Sequence, residues 1–204
     1  MMNKDKACII LAAGQGSRFG AKKQFIIFKD KEIWKHVYDK IAKYIPKENI
    51  VVVGVDVEGG ITRSQSVIKG LIELKKRGSF KRVIILEAAR PLVTFSQLET
   101  ILKDDHLSTT YVLPVINTIV SKKGDYLNRS DYYCTSTPVA FDFNYFYEAY
   151  MSNKYFDFTD DTWVMYEHYG IKPHFIEGAE NLIKITYPSD LHVVEMLYDR
   201  YEKQ

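Results

Sequence analysis

The chain has 204 residues, 46% of them hydrophobic and 14% aromatic, and a formal net charge of +2. That is enough for one domain with a buried core, too apolar for a disordered chain and too close to neutral for a nucleic-acid footprint. Two widely separated cysteines, Cys8 and Cys134, exclude a disulfide framework, and neither a bilayer-length apolar run nor a signal-peptide core follows Met1; a soluble protein of a reducing compartment, the cytoplasm, is expected.

The first element is the apolar run Ala7-Cys8-Ile9-Ile10-Leu11, which has the pattern of a fully buried strand. Ala12 to Gln24 follows, with glycines at 14, 16 and 20 and cations at Arg18, Lys22 and Lys23. Glycines free a backbone to turn its N–H groups toward an anion, and the cations add fixed positive charge, so the loop suits a polyphosphate. A dinucleotide fingerprint needs a helix directly after the glycines and an acid about 20 residues on. Here Phe25-Ile26-Ile27-Phe28 reads as extended, and the first acid closing a second strand, Asp56, lies too far along. A plain surface turn is the third reading.

Apolar residues at helical spacing predict an amphipathic helix over Glu32–Tyr44, stopped by Pro46, with Trp34 and Tyr38 as packing residues. Asn49–Val55 reads as a second buried strand. Strand, helix, strand at this spacing implies a parallel crossover and an α/β fold. Gly59-Gly60-Ile61-Thr62-Arg63-Ser64-Gln65-Ser66-Val67 then leads into a helix, with Ser64 a candidate N-cap and Gly78 its stop. The same segment suits base recognition, because glycine backbone admits a flat ring and a hydroxyl can bond its polar edge. Lys75-Lys76-Arg77 reads as a solvated helix end.

Arg82–Ala88 predicts a third buried strand, with Glu87 at its carboxyl end and Arg90-Pro91 beyond. A carboxylate placed there, opposite a phosphate loop, is a candidate Mg²⁺ ligand, with an ordinary strand-end charge as the alternative reading. A helix capped by Ser96 and running to about Asp104, a strand over Thr110–Val115 and a polar hairpin over Ile119–Tyr133, turning at Lys123-Gly124-Asp125, come next. Phe143–Met151 is a helix, Thr159 or Asp160 caps another, Pro173–Glu177 is a strand, and an amphipathic helix runs from Asp190 to about Tyr201. The acid pair Asp160-Asp161 reads chiefly as favourable to a helix dipole. The five histidines show no metal-ligand spacing, there is no Gly-x-Ser-x-Gly elbow, and Cys8, in a core strand, is expected to be inert.

Leu11-Ala12-Ala13-Gly14-x-Gly16-Ser17-Arg18 followed by Lys23-Gln24-Phe25 resembles the signature of the sugar- and polyol-phosphate cytidylyltransferase family, whose acceptors include 2-C-methyl-D-erythritol 4-phosphate and ribitol 5-phosphate. The similarity extends over nearly the whole chain. It runs through the Gly-Gly-x-x-Arg-x-x-Ser-Val segment, Leu86-Glu87-x-x-Arg90-Pro91 where the family has His-Asp-x-x-Arg-Pro, Asn117-Thr118 for Asp-Thr, Thr137-Pro138-Val139 for Thr-Pro-Gln, Thr159-Asp160-Asp161, and Asn181-Leu182-Ile183-Lys184-Ile185-Thr186. Lys22 replaces the usual Pro, and the passage from Val55 to Gly59 is shorter than in the family, which implies a trimmed sheet edge.

The resemblance implies a Rossmann-like three-layer α/β sandwich with a mainly parallel sheet, a single nucleotidyltransferase domain over 1–204, and a β-hairpin arm over 117–135 that embraces a second subunit. Tyr132 and Tyr133 would be dimer contacts. It implies catalytic roles for Arg18, Lys23 and Lys184, and nucleotide contacts from Ala12, Ala13, Gly14, Gly16, Gly60, Arg63, Ser66 and Ala88. Arg90, Thr118, Arg129, Thr137 and Thr159 would bind the acceptor phosphate, some of them from a partner chain, and Glu87 would hold Mg²⁺. The implied reaction transfers CMP from CTP to a small polyol or sugar phosphate and releases pyrophosphate. The acceptor is either 2-C-methyl-D-erythritol 4-phosphate or a capsule-type phosphate such as that of ribitol or glycerol. A non-catalytic nucleotide-binding protein is a rival that the Glu87 replacement motivates, and a dinucleotide-dependent oxidoreductase is disfavoured by the cations of the loop and its missing acid.

Overall fold

A computed structural model describes residues 2–202. In chain order the elements are β1 (Lys6–Leu11), a small hairpin of β2 (Ile27–Phe28) and β3 (Lys31–Glu32), α1 (Ile33–Ile41), β4 (Ile50–Val53), α2 (Arg63–Arg77), β5 (Arg82–Glu87) and α3 (Phe95–Lys103). They continue with β6 (Ser108–Pro114), a second hairpin of β7 (Ile119–Val120) and β8 (Tyr126–Leu127), β9 (Tyr133–Asp142), α4 (Phe143–Met151), α5 (Asp161–Tyr169), β10 (His174–Glu177) and α6 (Pro188–Tyr201).

Six strands form one sheet in the order β10-β6-β9-β5-β1-β4. β1 pairs parallel to both β4 and β5, β10 pairs parallel to β6, and β9 alone runs against its neighbours β5 and β6. Alternation along the strands sends side chains to opposite faces. Ile9, Val51 and Val53 pack with Val67, Leu71 and Leu74 of α2 and with α4 and α5. Cys8, Ile10, Ile50 and Val52 pack with Val37 and Ile41 of α1 and with Leu98, Ile101 and Leu102 of α3. The result is a helix–sheet–helix sandwich, and a third, smaller cluster holds α6 to the first hairpin through Phe28, Ile33, Ile185 and Val194.

Several boundaries differ from the sequence reading for local reasons. Lys23–Phe25 forms a 3-10 turn before the extended pair at Ile27–Phe28. α2 is capped by Thr62, whose side chain accepts from the Gln65 N–H in a reciprocal capping box, while Ser64 lies inside the helix. Thr94, not Ser96, does the same for α3. Asn181–Thr186 is a 3-10 turn and loop, so Lys184 stands on a loop. The loop is pinned by the burial of Leu182 and Ile185 and by the Ile185 N–H bond to the Ala89 carbonyl, 2.8 Å. β4 closes one edge of the sheet where the shortened Val55–Gly59 passage follows.

Candidate active site

The strands β1, β4 and β5 run in the same direction, so the loops that follow them gather at one carboxyl edge, the usual ligand position in an open α/β sheet. A cleft of about 310 Å³ opens there. Arg18, Lys23 and Lys184 line it, together with Ala12, Ala13, Gly14, Gly16, Gly60, Arg63, Ser66, Ala88 and Glu87. Every residue that the sequence assigned to the nucleotide side is thus brought to one wall or another of a single cavity.

The first wall is the glycine loop. Gly16 has φ of +69°, and a Cβ there would lie 1.8 Å from the Ala21 carbonyl oxygen, so no other residue fits the turn. The Gly16 carbonyl accepts from Phe19 and Gly20, and the Gln24 side chain ties down the Gly14 carbonyl at 3.1 Å. The 3-10 turn then aims Lys23 into the cleft. Burial lowers the Lys23 pKa, with Lys184 and Arg18 adding repulsion. The second wall is the first turn of α2, where Ser66 Oγ accepts from the Gly60 N–H at 3.0 Å and donates to the Thr62 carbonyl at 3.1 Å. A Cβ on Gly60 would meet Gln65 Cβ at 2.2 Å. Gly59 is packed as closely, since a Cβ there would meet Ala13 Cβ at 2.2 Å, so both glycines let the wall close on itself.

Glu87 sits at the centre, with 8% of its surface exposed. Its Oε1 is 2.8 Å from Lys184 Nζ and 3.5 Å from Arg63 Nε, and its Oε2 is 3.2 Å from Arg90 Nε. Burial alone would raise its pKa, but Lys184, Arg63 and Arg90 together hold it down to about 2. Both carboxylate oxygens are therefore spent on side-chain cations. Glu87 is also the one carboxylate among the described residues lining the cleft. A divalent ion ligated by it would have to break these pairs and sit among three positive charges, so this donor set does not fit a metal held by Glu87.

A second carboxylate organises Arg63 from behind. Asp161, buried in the interior, receives Arg63 as a two-pronged pair at 2.7 and 2.6 Å and the Tyr150 hydroxyl at 2.5 Å. Burial opposes the charge on Arg63, but Asp161 and then Glu87 outweigh it and raise its pKa. Asp160, not Thr159, caps α5, and Asp161, an acid in the first turn as the sequence reading has it, is also this counter-ion. The sequence signal for it was only a second acid at a helix start.

The five acceptor candidates are outside the cleft. Arg90 lies beneath it, with Nε on Glu87 and a guanidinium N–H on the Leu182 carbonyl. Thr118 and Arg129 are exposed on the hairpin arm, where Arg129 donates to the Ile116 carbonyl. Thr137 is buried, its hydroxyl without a partner among the described residues. Thr159 is exposed beside Asp160, which accepts a 2.6 Å bond from Thr135 at the root of the arm. Thr62 and Ser64 also bond the carbonyls of Phe156 and Phe158, so the segment before α5 is fastened to the α2 wall.

A family model described as 2-C-methyl-D-erythritol 4-phosphate cytidylyltransferase matches residues 55–200, and one described as a MobA-like NTP transferase domain matches 8–92. The 2-C-methyl-D-erythritol 4-phosphate cytidylyltransferase of Azobacteroides pseudotrichonymphae is 30% identical over 96% of this chain and its own full length. That of Aquifex aeolicus is 33% identical over 93% of this chain and 95% of its own. The crystal structure of the Thermus thermophilus protein of that name superposes with a TM-score of 0.75 at 23% identity, covering 95% of this chain and 98% of the other.

Proposed function

This chain belongs to the 2-C-methyl-D-erythritol 4-phosphate cytidylyltransferase family, and from that premise we propose how its residues divide the reaction. The enzyme is a CTP-dependent nucleotidyltransferase that transfers CMP to 2-C-methyl-D-erythritol 4-phosphate. An oxygen of the acceptor phosphate attacks the α-phosphorus of CTP, the bond from that phosphorus to the β-phosphate oxygen breaks, and pyrophosphate carries the electron pair away.

The attacking phosphomonoester has a second pKa of about 6, so it is already mostly a dianion near neutrality and needs no general base. The barrier lies in bringing anions together and in the charge that develops on the leaving pyrophosphate. The observation that carries this reading is the convergence of Arg18, Lys23, Arg63 and Lys184 on one cleft, opposite a lone carboxylate. Arg18 and Lys23, on the glycine loop, hold the β- and γ-phosphates. Lys184, poised by Glu87, meets the α-phosphate and the incoming acceptor. Ala12, Ala13, Gly14, Gly16 and Ala88 offer backbone, while Gly60 and Ser66 face the cytosine and Arg63 holds their wall. Mg²⁺ would come with CTP and would supply positive charge to its phosphates, without a carboxylate from Glu87.

Arg90 acts on the acceptor side only through Glu87. Thr118, Arg129, Thr137 and Thr159 belong to the acceptor site, completed when the 117–135 arm of one subunit reaches another. Exposed Val120, Tyr126, Leu127, Tyr132 and Tyr133, with Ile116 just before them, give that arm an apolar surface to bury. We read 1–204 as a single domain, and its unpaired cysteines suit the cytoplasm. The test is pyrophosphate release with CTP, Mg²⁺ and 2-C-methyl-D-erythritol 4-phosphate, with ribitol and glycerol phosphates as competing acceptors and UTP, ATP and GTP as competing donors. Turnover confined to CTP is expected. Release no faster than in the acceptor-free blank with every acceptor would overturn the proposal.

A further inference from the structure

We propose that Asp104, His106 and His174 form a site for one transition-metal ion of Zn²⁺ character, at the edge of the sheet opposite the cleft. His106 lies in the α3–β6 connection and His174 opens β10. Because β6 and β10 run parallel, both stand at the amino edge of the sheet, and none of the three residues lines the cleft. The 67 residues between the two histidines hide the group from any spacing rule; the register of β10 on β6 assembles it.

The imidazole rings stack with centroids 4.0 Å apart and planes 21° from parallel. Nδ1 of His106 and Nδ1 of His174 lie 3.1 and 2.7 Å from the same oxygen, Oδ2 of Asp104. One potential ligand atom from each residue lies within 4.8 Å of the others. An ion with bonds of about 2.0–2.2 Å sets neighbouring ligand atoms about 3.3–3.6 Å apart in a tetrahedron, so this triangle needs modest opening to admit one.

Asp104 is held for the purpose by its other oxygen. Oδ1 accepts from the Thr109 hydroxyl and from the His106 backbone N–H at 3.1 Å, which leaves Oδ2 facing the rings. Such outer partners are what orient a ligating carboxylate. The opposing charge is Arg82, with Nη2 3.6 Å from Oδ1; Asp105 and Asp142 also act on that guanidinium, so acids outnumber it locally. Two imidazole nitrogens and one carboxylate oxygen favour Zn²⁺, Co²⁺ or Ni²⁺ over Mg²⁺ or Ca²⁺. Binding expels the protons from the two Nδ1 atoms and leaves water to complete the coordination. The ion would tie β10, an edge strand, to the loop before β6.

The full chain, stripped of metal with EDTA and dialysed, is titrated with ZnCl₂ alone in a calorimeter and with CoCl₂ alone in a spectrophotometer. One equivalent should bind, with a Co²⁺ visible band typical of nitrogen and oxygen ligands. His174→Gln and His106→Gln should each abolish that band and weaken Zn²⁺ binding by at least about tenfold. Cys134→Ser should change neither. Both histidines are exposed, so these variants fold, as far-UV circular dichroism can check. Absence of stoichiometric binding, or equal affinity and an unchanged band in His174→Gln, overturns the proposal.

Discussion

Replacing Glu87 by Gln removes one charge and keeps the shape of the side chain, and it tests whether this carboxylate is the counter-ion of the site. The carboxyl titrates at about 2 instead of its ordinary 4.5, because Lys184, Arg63 and Arg90 overcome its burial. That difference makes the charged form worth about 3 kcal/mol to the folded protein. Being 8% exposed, the group loses little of this to solvent screening. Glu87→Gln should therefore lower unfolding free energy at pH 7 by about 3 kcal/mol, the size expected when one partner of a buried ion pair is removed. The sign of the pH dependence follows from the depressed folded pKa. The stabilisation is fully present above 4.5 and fades as pH falls toward 2, so the gap between wild type and variant should be flat from pH 8 to 5 and narrow below it. Urea unfolding followed by tryptophan fluorescence at several pH values measures it. A gap under about 1 kcal/mol at pH 7, or one that does not shrink between pH 5 and 3, refutes the reasoning.

Lys23→Ala should lower kcat for pyrophosphate release by at least about tenfold, roughly 1.4 kcal/mol of transition-state stabilisation, with thermal stability nearly unchanged; unaltered turnover removes Lys23 from the mechanism. Gly60→Ala places a methyl 2.2 Å from Gln65 Cβ, inside the capping box of α2, and should cost about 1–3 kcal/mol of stability and raise KM for CTP, as a steady-state titration would show. Shortening the arm by deleting residues 119–127 should leave CTP binding intact while abolishing turnover and halving the mass in sedimentation equilibrium; an active, unchanged assembly contradicts the shared acceptor site.

The sheet was legible because its strands are continuous apolar runs and its helices carry strong periodicity. Phe143–Met151 matched to the residue, and the neighbours of the glycine loop were found because glycines and cations are local signals. Caps were read two residues late at Ser64 and Ser96, since several hydroxyls compete at a helix start and only the reciprocal Gln bond decides among them. Asp161 and the ring pair at His106 and His174 escaped because their partners lie 98 and 68 residues away in the chain. Glu87 was read as a metal ligand from its place at a strand end, and only the folded chain shows three cations around it.

β9 runs against its neighbours, so the chain leaves β6 at Pro114 and rejoins the sheet at Tyr133 on the rim where the glycine loop also stands. The segment before α5 ends there too, through Asp160 and Thr135. Neither 115–132 nor 152–160 contributes a buried side chain among the described residues, although both carry acceptor candidates. Preference for one small phosphate over another can consequently drift over generations at the exposed positions of these two stretches, while Tyr155 and Phe158, which pack against the core, stay in place.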